Sequence, residues 1–237
     1  ERVMPEVKPS EIQTFASIKV VGVGGAGGSA VNRMKDAGLT GVQFIAMNTD
    51  AQALHNSKAD IKIHLGKDTT GGLGAGADPT RGEDAANESR ADIKDALNGA
   101  DMVFVTIGAG GGTGSGAAPL ISRIAKEMGI LTVAVVTKPF FFEGIQRMKI
   151  AEQSLDELRK AVDALIVIPN DRLLSTISRE TTAKQAFAMC DDILKQAVEG
   201  ISDLITMPGI INTDFADIRA IMENAGSALM GIGIAGG

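Results

Sequence analysis

The chain has 237 residues, 44% of them hydrophobic, enough for one large domain, or one and a fraction, around a substantial core. A net charge of −6 without a basic stretch argues against nucleic acid as a partner, though an anionic nucleotide stays open because backbone amides and Mg²⁺ can supply a local field. Cys190 is the single cysteine and His55 and His64 are the only histidines, which excludes a disulfide framework and a zinc cluster and disfavours a histidine triad.

Residues 1–16 are polar, carry Pro5 and Pro9, and read as a flexible arm without an apolar signal region. No apolar run approaches the ~18 residues of a membrane span, so a soluble cytoplasmic protein without membrane insertion is expected. Trp and Tyr are absent and Phe is sparse, so the core must be aliphatic. Strands are expected at Ile18–Val23, Gln43–Asn48, Ile61–Leu65, Met102–Ile107, Leu131–Thr137 and Ala164–Ile168. Helices are expected near Gly28–Ala37, Ala51–Asn56, Arg81–Leu97, Ala117–Met128, Ile145–Lys160 and Thr182–Thr206. In the last, Phe187, Cys190, Leu194, Val198, Ile201 and Ile205 recur at helical spacing, and Pro208-Gly209 stops the pattern. Apolar strands alternating with helices predict an α/β fold: a doubly wound, Rossmann-like parallel sheet with helices on both faces, followed by a long core helix. The end, Gly231–Gly237, reads as a possible strand cut off before a second domain, and the absence of an initial Met suggests a trimmed piece.

Three glycine-rich loops carry the chemistry. Gly22-Val23-Gly24-Gly25-Ala26-Gly27-Gly28-Ser29 follows the first strand and contains G-x-G-x-x-G in the context of a dinucleotide site, with Asp50 after the second strand. On this loop alone, an NAD- or FAD-binding oxidoreductase would be a fair reading. Gly108–Gly116 follows the fourth strand and opens another helix. Gly71–Pro79 precedes a third. Glycines let the backbone approach a ligand closely, and N–H groups at a helix start converge on an anion. Three such loops at one sheet edge suit a triphosphate approached from several sides. No G-x-x-x-x-G-K-[S/T] occurs, so this is not a P-loop NTPase.

Gly110-Gly111-Gly112-Thr113-Gly114-Ser115-Gly116 resembles the signature loop of the tubulin/FtsZ superfamily. Further blocks, in order, are similar to its FtsZ branch of bacterial cell-division GTPases: Val21–Gly28, Asn48–Leu54, Leu73–Pro79, Thr132–Phe140, Ile168–Asp171 and Gly209–Arg219. The resemblance runs from about Ile18 to the end. It implies a GTP-binding domain over 17–180, a core helix over 181–207, and a catalytic loop, a helix and the start of a second domain over 208–237. It also implies a head-to-tail homopolymer at the division site. A C-terminal tail, missing here with most of the second domain, would bind membrane-tethering division proteins, and without them assembly and turnover would be weak or lost.

By the same resemblance, Gly25, Ala26, Gly27, Gly28 and Ser29 would contact the phosphates of GTP or GDP, with Mg²⁺ carried by the phosphates. Gly111, Gly112, Thr113 and Gly114 would hold the α- and β-phosphates, and Ala75 and Gly76 would lie near the γ-phosphate. Asn48 belongs to the same set of nucleotide contacts. Glu143 and Arg147 would contact the ribose region, and Phe187 and Asp191 would bind guanine with Asn170 nearby. The chemistry agrees: Phe187 and Asp191, four residues apart, share a helix face, and a carboxylate accepts the N1–H and N2 hydrogens of guanine, whereas adenine N1 is itself an acceptor. Without the surrounding motifs the plainer reading would be preferred, with Phe187 in the core and Asp191 in solvent. Ser29 stands where many relatives have Asn, and Phe141 makes a Phe140-Phe141-Phe142 run where the middle residue is often polar.

The phosphate loops carry no plausible base. The resemblance names Asp214 and Asp217, with Asn212, as the catalytic group; an N-cap and a first-turn acid of a helix near Phe215 are the alternative reading. From Asp191 to Met207 is about 24 Å of helix at 1.5 Å per residue. Asp214 is therefore expected to serve the site of a neighbour, a heterologous contact that builds filaments. A non-hydrolysing scaffold of the same superfamily is the remaining alternative.

Overall fold

The computed structural model describes residues 16–174, 181–206, 215–223 and 225–229. Residues 1–15 of the arm expected over 1–16, Asn212, Asp214 and the possible strand within 231–237 lie outside the described residues. The strands are β1 (Ile18–Val23), β2 (Val42–Asn48), β3 (Ile61–His64), β4 (Met102–Gly108), β5 (Leu131–Lys138), β6 (Ala164–Pro169) and β7 (Gly226–Leu229). The helices are α1 (Gly24–Asp36), α2 (Ala51–His55), α3 (Lys67–Thr70), α4 (Pro79–Glu88), α5 (Arg90–Leu97), α6 (Thr113–Glu127), α7 (Ile145–Ala161), α8 (Asn170–Leu174), α9 (Ala183–Thr206) and α10 (Phe215–Met222), with a 3-10 turn at Phe141–Glu143.

The strands form one sheet in the order β3-β2-β1-β4-β5-β6-β7, and every pairing is parallel. The six expected strands are all present; β7 is a seventh that the expected elements did not include. Period-2 alternation sends side chains to opposite faces. On β4, Met102 and Phe104 face α1 and α9, while Val103, Val105 and Ile107 face α4, α5, α6 and α7. Both faces are covered, which is why the strands read as continuous apolar runs.

Chain order reverses between β1 and β4, each of which continues through glycine into a helix. Ligands of doubly wound sheets bind at this switch point, beyond the strand C-termini. Two helices begin earlier than the periodicity suggested. α1 starts at Gly24 and α6 at Thr113, because the later part of each glycine loop is itself the first helical turn. The helix expected over Arg81–Leu97 is two, broken at Ser89, whose Oγ accepts from the Gly66 amide at 3.0 Å. Pro79 at the start of α4 and Asp78, whose carboxylate accepts from Thr80 N–H at 2.9 Å, fix where that helix begins.

The opposite end of the sheet is closed by α10. Arg219 donates to the Gly129 carbonyl at 2.6 Å, just ahead of β5, and Gly226 donates to the Asp163 carbonyl, just ahead of β6. Phe215, Ile218 and Met222 anchor the helix on the apolar core.

Candidate functional site

The C-terminal ends of β1 and β4 carry α1 and α6 into direct contact. A Cβ placed on Gly24 would touch the Gly114 backbone nitrogen at 3.0 Å, and one on Gly108 would meet Ala26 at 2.6 Å. The third glycine loop is tied to the same edge: Gly74 donates to the Thr49 carbonyl at 3.2 Å and Ala51 to the Gly72 carbonyl at 3.1 Å. Thr49 and Thr113 share a hydrogen bond between their hydroxyls at 2.6 Å. Around this junction lies an open cleft of about 230 Å³, concave and placed where ligands of such sheets bind.

At one end of the cleft stand the starts of α1 and α6. Neither has a side-chain cap, and neither carries an acid in its first turn. Each helix leaves its first amides without intrahelical partners, and two such positive ends side by side make a place for a polyanion. The other end is lined by Glu143, Arg147, Asn170, Phe187, Cys190 and Asp191. Arg147 donates to Glu143 at 2.9 Å, and the other oxygen of Glu143 accepts from Phe140 N–H at 2.9 Å. Phe187 packs edge-on against Phe140, ring centres 5.4 Å apart, yet stays 41% exposed. The apolar stripe of α9 therefore begins in the cleft, not in the core. Asn170 is 4% exposed and its Oδ1 has no partner, an orphaned acceptor in the cleft wall.

Asp191 accepts from Arg33 Nε at 3.0 Å. Burial raises its pKa to about 6, although the Arg33 hydrogen bond and charge pull it down. Burial pushes the Cys190 thiol up to about 12, so it is an inert wall.

The sequence-derived residues divide by place. Gly25, Ala26, Gly111, Gly112, Thr113, Gly114, Glu143, Arg147, Asn170, Phe187 and Asp191 line one cleft. Gly28, Ser29 and Asn48 line an adjoining cavity that shares Gly25; Asn48 Oδ1 accepts from Asp50 N–H at 3.2 Å. Gly27 is buried, because a Cβ there would overlap the Thr106 carbonyl: its role in the fold is close helix–sheet packing. Ala75 is buried against Gly112, and Gly76, at φ +61°, is exposed beside it. Asp217 is exposed on the first turn of α10, at the opposite end of the sheet. Sequence reasoning passed over Arg33, whose signal was its place one helical turn after Ser29, and Thr137, which lines the cleft from β5.

The family model described as "Tubulin/FtsZ family, GTPase domain" matches residues 17–178. The chain belongs to the tubulin/FtsZ family. Its fold superimposes on an FtsZ dimer from M. jannaschii, described as empty, with a TM-score of 0.87 at 50% identity, covering 91% of this chain and 63% of that one. A W319Y mutant of M. jannaschii FtsZ gives a TM-score of 0.88 at 51% identity, covering 92% and 65%. CetZ2 from Haloferax volcanii, described as a GTPγS-bound protofilament, gives 0.76 at 22% identity over 90% and 64%, a likeness of fold alone. The chain thus spans just under two thirds of the length of these FtsZ chains.

Proposed function

We propose that this chain binds GTP and GDP in the cleft at the switch point and forms part of a filament-forming, assembly-dependent GTPase. The observation that carries the reading is the polarity of the cleft. Two uncapped helix starts stand at one end, and an exposed aromatic edge, a carboxylate and an orphaned amide oxygen stand at the other.

In this reading the amides of Gly111–Gly114 and Gly25–Ser29 hold the phosphates, with Asn48 beside them and Ala75 and Gly76 near the γ-phosphate. Glu143 and Arg147 receive the ribose. Phe187 packs on the base, Asp191 accepts N1–H and the N2 amino group, and the Asn170 oxygen takes a further donor. Mg²⁺ would be held through the phosphates and offset their charge; among the described residues no group of three His, Cys, Asp or Glu side chains converges to hold it. The glycine loops at the phosphate end of the cleft supply no general base. Asp214 and Asp217, with Asn212, of the next molecule in a head-to-tail stack would orient and deprotonate the attacking water. The M. jannaschii FtsZ dimer supports self-association by analogy. Cell division, cytoplasmic placement at the division site, and tethering to a membrane through partners of a C-terminal tail belong to the same proposal.

Nucleotide extracted from the purified protein tests the reading. Guanine nucleotide is expected; NAD would overturn it in favour of an oxidoreductase. Asp191→Ala should weaken GTP binding more than about tenfold, or ~1.4 kcal/mol. Retained tight selection of GTP over ATP would remove Asp191 from the base site.

A further inference from the structure

We propose that Arg33 is a positioning residue for base recognition: from α1 it holds the Asp191 carboxylate ionised and oriented toward the guanine edge. The proposal rests on the guanine reading of the cleft given above.

The contact crosses the fold. Arg33 lies in the third turn of α1, and Asp191 lies 158 residues later on α9. Nε donates to Oδ2 at 3.0 Å, and Nη1 lies 3.7 Å from Asp192 Oδ1. The Asp191 side chain is largely enclosed at 16% exposure, whereas that of Arg33 is 41% exposed and reaches in from solvent. Asp191 therefore lies between two cavities, the cleft and a groove between α1 and α9 that holds Arg33. A carboxylate has about four acceptor sites, so one hydrogen bond from the groove side leaves acceptors for N1–H and the amino group on the cleft side. The charge-assisted bond from Arg33 Nε to Oδ2 also restrains how the carboxylate is turned toward the cleft.

The same contact sets the charge. Burial opposes ionisation of Asp191, and Asp192 adds to that opposition; the Arg33 hydrogen bond and charge act against both. The other ionisable groups lining the groove are Asp36 and Lys195, and those lining the cleft are Cys190, Glu143 and Arg147. Within both cavities Arg33 alone holds a direct hydrogen bond to Asp191 among the described residues. With the pKa already raised to about 6, removing the arginine moves it further up, toward neutral pH. A protonated Asp191 loses acceptor capacity, so guanine binding falls as pH falls through that pKa.

The test is GDP affinity against pH, from 5.5 to 9, for the wild type, Arg33→Ala and Arg33→Lys. The wild type should bind evenly above pH 7 and lose affinity below about 6. Arg33→Ala should move that midpoint up by about one pH unit, weaken binding about twofold at pH 7 and about fivefold at pH 6, and recover it by pH 9. Arg33→Lys should restore most of the wild-type profile. In an Asp191→Asn background, Arg33→Ala should change affinity less than twofold. A loss that is equal at all pH values, or undiminished in the Asp191→Asn background, would mean that Arg33 acts on the phosphates or the fold, and would overturn the proposal. An Arg33→Ala profile identical to wild type would overturn it as well. A wild-type protein that binds no GDP at any pH would instead sink the guanine reading beneath it.

Discussion

Gly116 and Gly25 are both glycines of signature loops, and the structure gives them opposite tasks. A Cβ on Gly116 would overlap the Pro79 carbonyl, where α4 crosses α6, whereas one on Gly25 would meet nothing within 4 Å. Alanine in a helix gains about 1 kcal/mol over glycine, but overlap with backbone cannot be relieved by a rotamer, and overpacking costs about 1–3 kcal/mol. Gly116→Ala is therefore expected to lower stability in urea unfolding despite its better helix propensity. Gly25→Ala should leave stability within about 0.5 kcal/mol and weaken nucleotide binding, because its methyl group enters the cleft. Equal stability of the two variants would refute the division. The sequence could not separate these roles, since a glycine that faces a ligand and one that faces another backbone are written with the same letter. Gly27 shows this directly: the resemblance places it among the phosphate contacts, while a Cβ there would overlap the Thr106 carbonyl, so packing alone already demands glycine. The Phe187/Asp191 pair was legible because four-residue spacing on a helix dictates a shared face. Arg33 was not, because its partner is 158 residues away and neither residue is unusual on its own helix.

The strands were the most legible elements, because burial on both faces leaves uninterrupted apolar runs that polar loops cannot imitate. Helix starts were the least legible. Glycine looks like loop, yet in α1 and α6 it forms the first turn so that bare amides face the cleft. α6 carries a second concealed feature. Pro119 sits inside the helix, where it has no N–H for the Ser115 carbonyl four residues back. Ser154 of α7 donates to that carbonyl at 3.0 Å, joining two helices at the point where one lacks a bond. Both partners are buried. Ser154→Ala should cost about 1–3 kcal/mol, the penalty of leaving a buried acceptor unmet. Pro119→Ala, which returns an N–H, should reduce that penalty when combined with Ser154→Ala. Additive effects of the two changes in denaturant unfolding would show that the serine serves packing alone.

Over the whole molecule, the cleft and α10 occupy opposite ends of the sheet. β5 has 8 residues, about 23 Å at 3.3 Å per step. Arg219 holds α10 to the turn before the start of β5, while Thr137, near its end, lines the cleft. Asp217 is exposed on the first turn of α10 and cannot span that length to the cleft of its own chain. If it takes part in hydrolysis, it does so on another molecule. Its alternative role, an acid favourably placed at a helix start, asks for nothing from a neighbour. Mixing separates the two. An Asp191→Ala subunit has a damaged cleft but an intact α10 face; an Asp217→Ala subunit has the reverse. Each alone should turn over GTP near background. In a 1:1 mixture of head-to-tail stacks, about a quarter of junctions join an intact cleft to an intact α10 face, so turnover should rise well above the sum of the two. A site completed within one molecule predicts no gain on mixing, and a purely structural Asp217 predicts near wild-type turnover from the Asp217→Ala protein alone. Steep dependence of wild-type turnover on protein concentration should accompany the gain, because a junction between molecules forms only as they associate.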